Sequence, residues 1–316
     1  MIPLAEIEAA HERLAGAIVR TPLVRLELED APAEIYLKLE NLQPIGAFKL
    51  RGAGNALLLA SPEELERGVW TASAGNMAQG VAWWARRLGA RCTCVVPDTA
   101  PETKLAAIRR LGSEVVAVPF EVWWEVFRTH EHEGLEGRFV HAFSDPAVMA
   151  GNGTVGLEIL EDLADVEAVV VPYGGGGLTC GIASALRELA PDCKVFAAEV
   201  ATGAPLAPSL AAGKPVRVDY DPSFVDGIGS PEVFPEMFEL TQGLVDGALV
   251  VSVDEIADAV RLLAERARVI AEGAGAAGLA AALTGAAGSG KVVCVVSGGN
   301  IDASKLAEIL TARERS

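Results

Sequence analysis

From Gly68 onward the chain repeats a single unit: a short β-branched, apolar run, a loop rich in Gly, Ser or Pro, then a helical stretch. GVWTAS, RCTCVVP and SEVVAVP read as strands, and AGNMAQGVAWWARRLG and PETKLAAIRRLG read as the helices between them. A helix over 121–133 carries Trp123, Trp124 and Phe127 near one face, and RFVHAF is a short strand. The rhythm then restarts. A long helix follows DPAVMAGNGTVGLEILEDL, AVVVPY is a strand over 168–173, and KVFAAEV and KVVCVVS are two more. Strands alternating with helices of this length commit a chain to βαβ crossovers and mostly parallel sheets covered by helices. Two such sets predict a two-lobed α/β fold, with 46–143 as a small lobe and 1–45 plus 144–316 as a large one. Pro62 after Ser61 starts one helix, and the capping box Ser252 to Glu255 opens another, expected to run to about Glu272. Residues 219–235 form the one long irregular stretch.

Composition excludes several classes of function. The 316 residues are 51% hydrophobic but only 5% aromatic, so a large core must be built mainly from Ala, Val and Leu. A net charge of −17 with no basic cluster argues against nucleic acid and anionic membranes as partners. The five cysteines, Cys92, Cys94, Cys180, Cys193 and Cys294, are odd in number and contain no CxxC pair. They read as small core residues in a reducing compartment. The amino terminus is charged and helix-like rather than a signal peptide, and the uncharged run 273–290 is too rich in Gly and Ala to span a bilayer. A cytoplasmic protein is the expectation.

In parallel sheets ligands sit at the carboxyl ends of strands, so the loops there carry the chemistry. Gly174, Gly175, Gly176 and Gly177 stand between a buried strand and a helix starting near Leu178. Amides unhindered by a Cβ at a helix N-terminus suit a phosphate monoester. Gly273-Ala-Gly275-Ala-Ala-Gly278 matches GxGxxG in letters, yet it follows a helix and lacks the acidic residue a dinucleotide requires. It reads as a surface of close backbone approach. Ser73-Ala74-Gly75-Asn76 and Ser297-Gly298-Gly299-Asn300 end strands and offer amides, a carboxamide and a hydroxyl. Lys49, between Phe48 and Leu50 and near Gly46, Ala47 and Gly52, has the small, apolar neighbours that lower a lysine's pKa. Together these loops describe a site for a phosphorylated aldehyde.

KLENLQPIGAFKLRGA, SAGNMAQG, GNGTVGLEI, GGGGL and VVSGGN resemble, in that order, the pyridoxal-phosphate enzymes of fold type II. The chain is similar over nearly its whole length to the threonine/serine dehydratases and serine racemases. The resemblance implies a tryptophan synthase β-like fold in which the larger lobe binds pyridoxal 5'-phosphate and the lobe 46–143 is mobile. It also implies residue roles. Lys49 holds the cofactor covalently and moves the α-proton, and Gly174, Gly175, Gly176, Gly177 and Leu178 hold the phosphate. Phe48 lines the cofactor face, Asn76 bonds the pyridine 3-oxygen, and Ser297 meets the pyridine nitrogen. Ser73, Ala74 and Gly75, with Asn76, hold the substrate carboxylate. A homodimer acting on a small amino acid is implied as well.

The implied activity is a dehydratase converting a 3-hydroxy amino acid to a 2-oxo acid and ammonia. A racemase and a β-replacement synthase are the alternatives within enzymes, and a cofactor-holding protein without catalysis is the alternative outside them. Ala74 stands where racemases of this family place a serine, which favours elimination. Ala47 replaces a usual serine and Met77 a usual histidine, two losses of polarity expected close to the substrate. Trp124 falls near a racemase arginine, although Trp123 and Trp124 read first as core residues. A drier pocket would suit a bulkier substrate of the phenylserine type. No metal is expected at Glu199, because 201–206 lacks the second acid that metal-binding relatives use. No carboxy-terminal effector domain is expected either.

Overall fold

The computed structural model describes residues 1–312. Its strands, in chain order, are β1 (Leu23–Arg25), β2 (Glu34–Lys38), β3 (Val69–Ala72), β4 (Cys92–Pro97), β5 (Glu114–Val118), β6 (Arg138–Phe139), β7 (Ala168–Pro172), β8 (Lys194–Val200), β9 (Gly247–Val251) and β10 (Lys291–Val295). They form two sheets, one ordered β1-β2-β10-β7-β8-β9 and the other β5-β4-β3-β6. Every pairing is parallel except that of β1 with β2, where Val24 faces Leu37. The fold is the α/β arrangement that the strand and helix rhythm implies. In the larger sheet Cys294 stands opposite Leu37 on one side and Val170 on the other. β7 is buried along its whole length, which is why it reads as a continuous Val run rather than an alternating one.

The local signals behave as their chemistry requires. Ser61 and Glu64 form a reciprocal capping box at the helix Pro62–Arg67, and Ser252 with Glu255 does the same at the helix Val253–Leu262. That second helix is shorter than its sequence suggests. It passes through a π turn, Leu263–Ala267, and stops at Arg268, whose φ of 60° lies in the left-handed region. A separate helix, Gly273–Leu283, follows. β9 went unrecognised in the sequence because GALVV is short and half exposed on the sheet edge.

The helix Lys49–Leu58 sits between the two sheets and their helices. Gly52 lies so close to the helix Pro146–Asp162 that a Cβ there would fall 2.7 Å from Val148 and Asn152. Further along, Gly54 packs on Trp84, and the Trp84 indole N–H donates to the Leu50 carbonyl at 2.8 Å. The two glycines therefore let side chains of helices from both sheets pack directly against this helix's backbone. One end of it carries Lys49.

Candidate active site

A cavity of about 700 Å³ opens between the sheets. The parallel strands deliver their following loops to it: Ser73 to Met77 after β3, Gly174 to Leu178 after β7, and Ser297 after β10. Phe48, Lys49, Ser73, Ala74, Gly75, Asn76, Gly174, Gly175, Gly176, Gly177, Leu178 and Ser297 thus all line one space.

Lys49 is the first residue of its helix, and the loop before it is stitched to the strand-end loop beyond β10. The Phe48 amide donates to the Ser297 carbonyl at 2.9 Å, and the Gly299 amide donates to the Gly46 carbonyl at 2.9 Å. Gly46 has a φ of +73°, and a Cβ on it would meet Asn300 at 2.8 Å, so only glycine fits this crossing. The Lys49 ammonium donates to the Ala142 carbonyl at 2.6 Å and lies 4.9 Å from the centre of the Phe48 ring. Burial pushes the Lys49 amine down to about 8, and the nearby Glu272 carboxylate opposes that fall. A lysine in this state reaches its neutral, nucleophilic form close to physiological pH.

Two residues further along the same helix, Arg51 is fully buried in a charge cluster. Its guanidinium donates to both carboxylate oxygens of Glu40, each at 2.8 Å, and to those of Glu158 at 2.7 and 2.8 Å. Lys38 completes the cluster with a 2.6 Å bond to Glu158. Two cations and two anions satisfy one another in the dry interior, fixing the start of the Lys49 helix against β2 and the helix Pro146–Asp162.

The glycine loop lies at the start of the helix Gly177–Leu189. No side chain caps that helix, and the first of its amides with a carbonyl partner is Cys180, which reaches the Gly176 carbonyl at 2.8 Å. Phe143 occupies the space where side chains of the loop would lie: a Cβ on Gly175 would come within 2.0 Å of its ring, and one on Gly177 within 2.7 Å of its carbonyl. Free amides beside backbone that tolerates no Cβ fit a phosphate group. With Lys49 for an aldehyde and Ser297 and Asn76 in the same cavity, the residues present fit pyridoxal phosphate.

Several expectations need revision. Trp123 and Trp124 are not simply core residues. They are half buried and line the cavity, where with Phe127, Phe143 and Phe234 they form an aromatic wall. Trp124 meets the Phe234 ring edge-on at 5.9 Å. Long-range packing of 234 against 124 left no local signal. Met77 does line the cavity, but Ala47 does not: it is fully buried in the core with Leu50 and Ala78 and bridges Gly298. Its isolated bridge to Gly298 holds it among Leu50 and Ala78 rather than at the cavity. Gly273, Gly275 and Gly278 behave as read, since a Cβ on Gly275 would strike the Gly298 carbonyl at 2.1 Å. The Glu199 carboxylate accepts the amides of Leu206 and Ala207 at 2.8 and 2.9 Å.

Glu272, which the sequence marks only as a helix end, also lines the cavity. Glu272 accepts a 2.7 Å hydrogen bond from the Asn76 carboxamide, and burial pushes its carboxyl up to about 7. Its signal was hidden because the sequence reads as helix up to about 272, whereas the helix stops at Arg268 and leaves Glu272 in the short break before the next helix.

Residues 14–298 match the family model described as "Pyridoxal-phosphate dependent enzyme". The L-threonine ammonia-lyase of Thermotoga maritima is 44% identical over 98% of this chain and 78% of its own length. The catabolic L-threonine dehydratase TdcB of Escherichia coli is 38% identical over 98% of this chain and 96% of its own. Among solved structures, maize serine racemase superimposes with a TM-score of 0.90 at 31% identity, covering 96% of this chain and 95% of that one. The chain belongs to the pyridoxal-phosphate-dependent enzymes of fold type II, in the group of threonine/serine dehydratases and serine racemases, and is a lyase of that family.

Proposed function

We propose that the enzyme is a dehydratase that converts a 3-hydroxy amino acid, with an aryl-bearing substrate of the phenylserine type favoured over serine, to a 2-oxo acid and ammonia. The observation that carries this reading is the aromatic wall of Trp123, Trp124, Phe127, Phe143 and Phe234 on the cavity that holds Lys49. Apolar rings beside the reacting centre reward an apolar β-substituent, and edge-to-face contacts add about 0.5–1.5 kcal/mol to simple burial. The charged side chains lining the cavity are Lys49, Lys104, Asp226, Glu232 and Glu272, and Lys104 is already paired with Asp226 at 2.5 Å. A second carboxylate on the substrate would find no free cation among them.

Pyridoxal phosphate, when bound, supplies the electron sink that makes the α-carbon acidic. The protein's own groups do the rest. Lys49 would hold the cofactor's aldehyde carbon, and its amine, whose pKa burial lowers to about 8, is the group that would take the α-proton. Ser73, Ala74 and Gly75 hold the substrate carboxylate at the start of the helix Asn76–Leu88, whose amides favour an anion. Ser297 offers the ring nitrogen a neutral hydroxyl rather than a carboxylate, which weakens the sink and favours loss of the 3-hydroxyl over transamination. Ala74 has no proton to return to the face opposite Lys49, so elimination wins over racemisation.

The lobe 46–143 is the mobile one in this reading. The Lys104–Asp226 pair bridges it to 219–235 at the mouth of the cavity. Buried free cysteines support a reducing cytoplasm, and a homodimer follows the family. Among the described residues no helix is long and apolar enough to cross a membrane. The test is release of 2-oxo acid from serine, threonine, hydroxyaspartate and the phenylserine diastereomers, with D-isomers assayed in parallel. A kcat/KM for phenylserine above those for serine and threonine is expected. Rapid appearance of a D-isomer from one L-enantiomer would instead favour the racemase reading.

A further inference from the structure

Asn76 is held from both sides by residues of the large lobe. Its Nδ2 donates to Glu272 Oε1 at 2.7 Å, and its Oδ1 accepts from Asn300 Nδ2 at 2.8 Å. The orientation of Asn300 is itself determined, because the same Nδ2 donates to the Ile45 carbonyl at 2.8 Å, a group that can only accept. A donor on one side and a carboxylate on the other leave Asn76 a single arrangement of nitrogen and oxygen.

The backbone keeps room for this clamp. A Cβ on Gly298 would fall 2.3 Å from Glu272 Oε1, and one on Gly46 would fall 2.8 Å from Asn300 Oδ1. Glu272 also occupies the N-cap position of the helix Gly273–Leu283, yet its side chain makes no capping bond to that helix. Its carboxylate is turned to Asn76 instead. The charged groups around it are Asp226 and Lys104 at the cavity mouth and Lys49 within it. A protonated carboxyl still accepts through its carbonyl oxygen, so the clamp survives titration of Glu272.

We propose that Glu272 and Asn300 are positioning residues that lock the Asn76 carboxamide so that its one remaining N–H is presented to the cavity, selecting an acceptor oxygen on the cofactor ring. This rests on the reading that Asn76 bonds the pyridine 3-oxygen. The lock joins three chain segments: the loop before Lys49, the loop after β10 and the seam before the helix Gly273–Leu283. It also crosses the lobes, since Asn76 opens a helix of the smaller one.

The test compares binding of pyridoxal 5'-phosphate and 3-deoxypyridoxal 5'-phosphate to the resolved apoenzyme, read by quenching of tryptophan fluorescence. The wild-type protein is expected to prefer the 3-oxygenated cofactor by roughly tenfold, the worth of one good hydrogen bond. Glu272→Ala and Asn300→Ala should each shrink that preference severalfold, whereas Glu272→Gln, which keeps an acceptor oxygen, should retain it. Asn76→Ala should remove the preference. Should Glu272→Ala fail to fold, Asn300→Ala reads the same ratio from the other side of the clamp. If Asn76→Ala loses the preference while Glu272→Ala and Asn300→Ala keep it, the positioning roles are wrong and the Asn76 reading stands. If Asn76→Ala also keeps it, Asn76 does not serve the 3-oxygen and both ideas fall.

Discussion

Lowering the pH should destabilise this protein through a single buried imidazole, that of His141. Its Nδ1 accepts the amides of Phe143 and Ser144, at 3.3 and 2.9 Å, and lies 2.7 Å from the Ser144 hydroxyl. An Nδ1 that faces two N–H groups must present a lone pair, so the ring is neutral with its proton on Nε2. Burial, then the charges of His130 and Lys49, push its pKa from 6.5 down to about 3. The unfolded chain therefore binds a proton that the folded chain refuses, and stability falls as pH drops below 6.5 and levels off near 3. A gap of about 3.5 pH units at about 1.36 kcal/mol per unit amounts to about 5 kcal/mol in full, of which about 2 kcal/mol is lost between pH 8 and 5. His141→Asn keeps an acceptor where Nδ1 stood and removes the titration. Urea denaturation of both proteins at pH 8, 7, 6 and 5 should show the wild type losing about 2 kcal/mol more than the variant. Parallel curves would refute the reasoning. The matter bears on function because the turn that His141 ties carries Ala142, which receives Lys49, and Phe143, which backs the glycine loop.

Three other outcomes follow from the same geometry. Arg51→Met leaves Glu40 and Glu158 facing each other without their shared cation, and should cost about 3–5 kcal/mol in denaturant unfolding; a loss under about 1 kcal/mol would show the cluster to be dispensable. Gly175→Ala places a methyl 2.0 Å from the Phe143 ring and should weaken cofactor binding, measured by equilibrium dialysis, by about tenfold or more, with partial recovery when Phe143→Ala is added. Ala74→Ser restores a proton donor opposite Lys49 and should raise the ratio of D-isomer to 2-oxo acid in a chiral product assay. An unchanged ratio would remove Ala74 from the account of reaction choice.

Much of this site can be read from the chain before any coordinates, and the reason is local. A parallel sheet must send the loop after each strand to the same edge, so Gly174 and Ser297, which follow neighbouring strands of the larger sheet, were bound to share an edge, whereas the arrival of Ser73 from the other sheet depends on how the two sheets face each other. Four consecutive glycines before a helix, with Lys49 beside an aromatic residue, carry their chemistry within a few positions. What the chain hides is non-local. Arg51 looks like an ordinary cation until the fold brings Glu40 and Glu158 to it. Trp123 and Trp124 have the spacing of core residues, and only the approach of Phe234 and the glycine loop shows that one side of them faces a cavity. Ala47 errs in the opposite direction: its place where relatives carry a serine suggested the site, whereas its bridge to Gly298 buries it in the core. Glu272 was lost at a helix break made by a π turn and Arg268, which periodicity alone does not reveal.

The central claim is that Lys49 holds pyridoxal phosphate and moves the proton in elimination from a 3-hydroxy amino acid. The most direct measurement is the absorbance spectrum of the purified enzyme together with 2-oxo acid release from phenylserine and threonine, for the wild type and for Lys49→Ala. The account predicts a cofactor band near the visible edge and oxo-acid release in the wild type, and loss of both in the variant with its fold intact by circular dichroism. A Lys49→Ala protein that keeps the band and the turnover would contradict it.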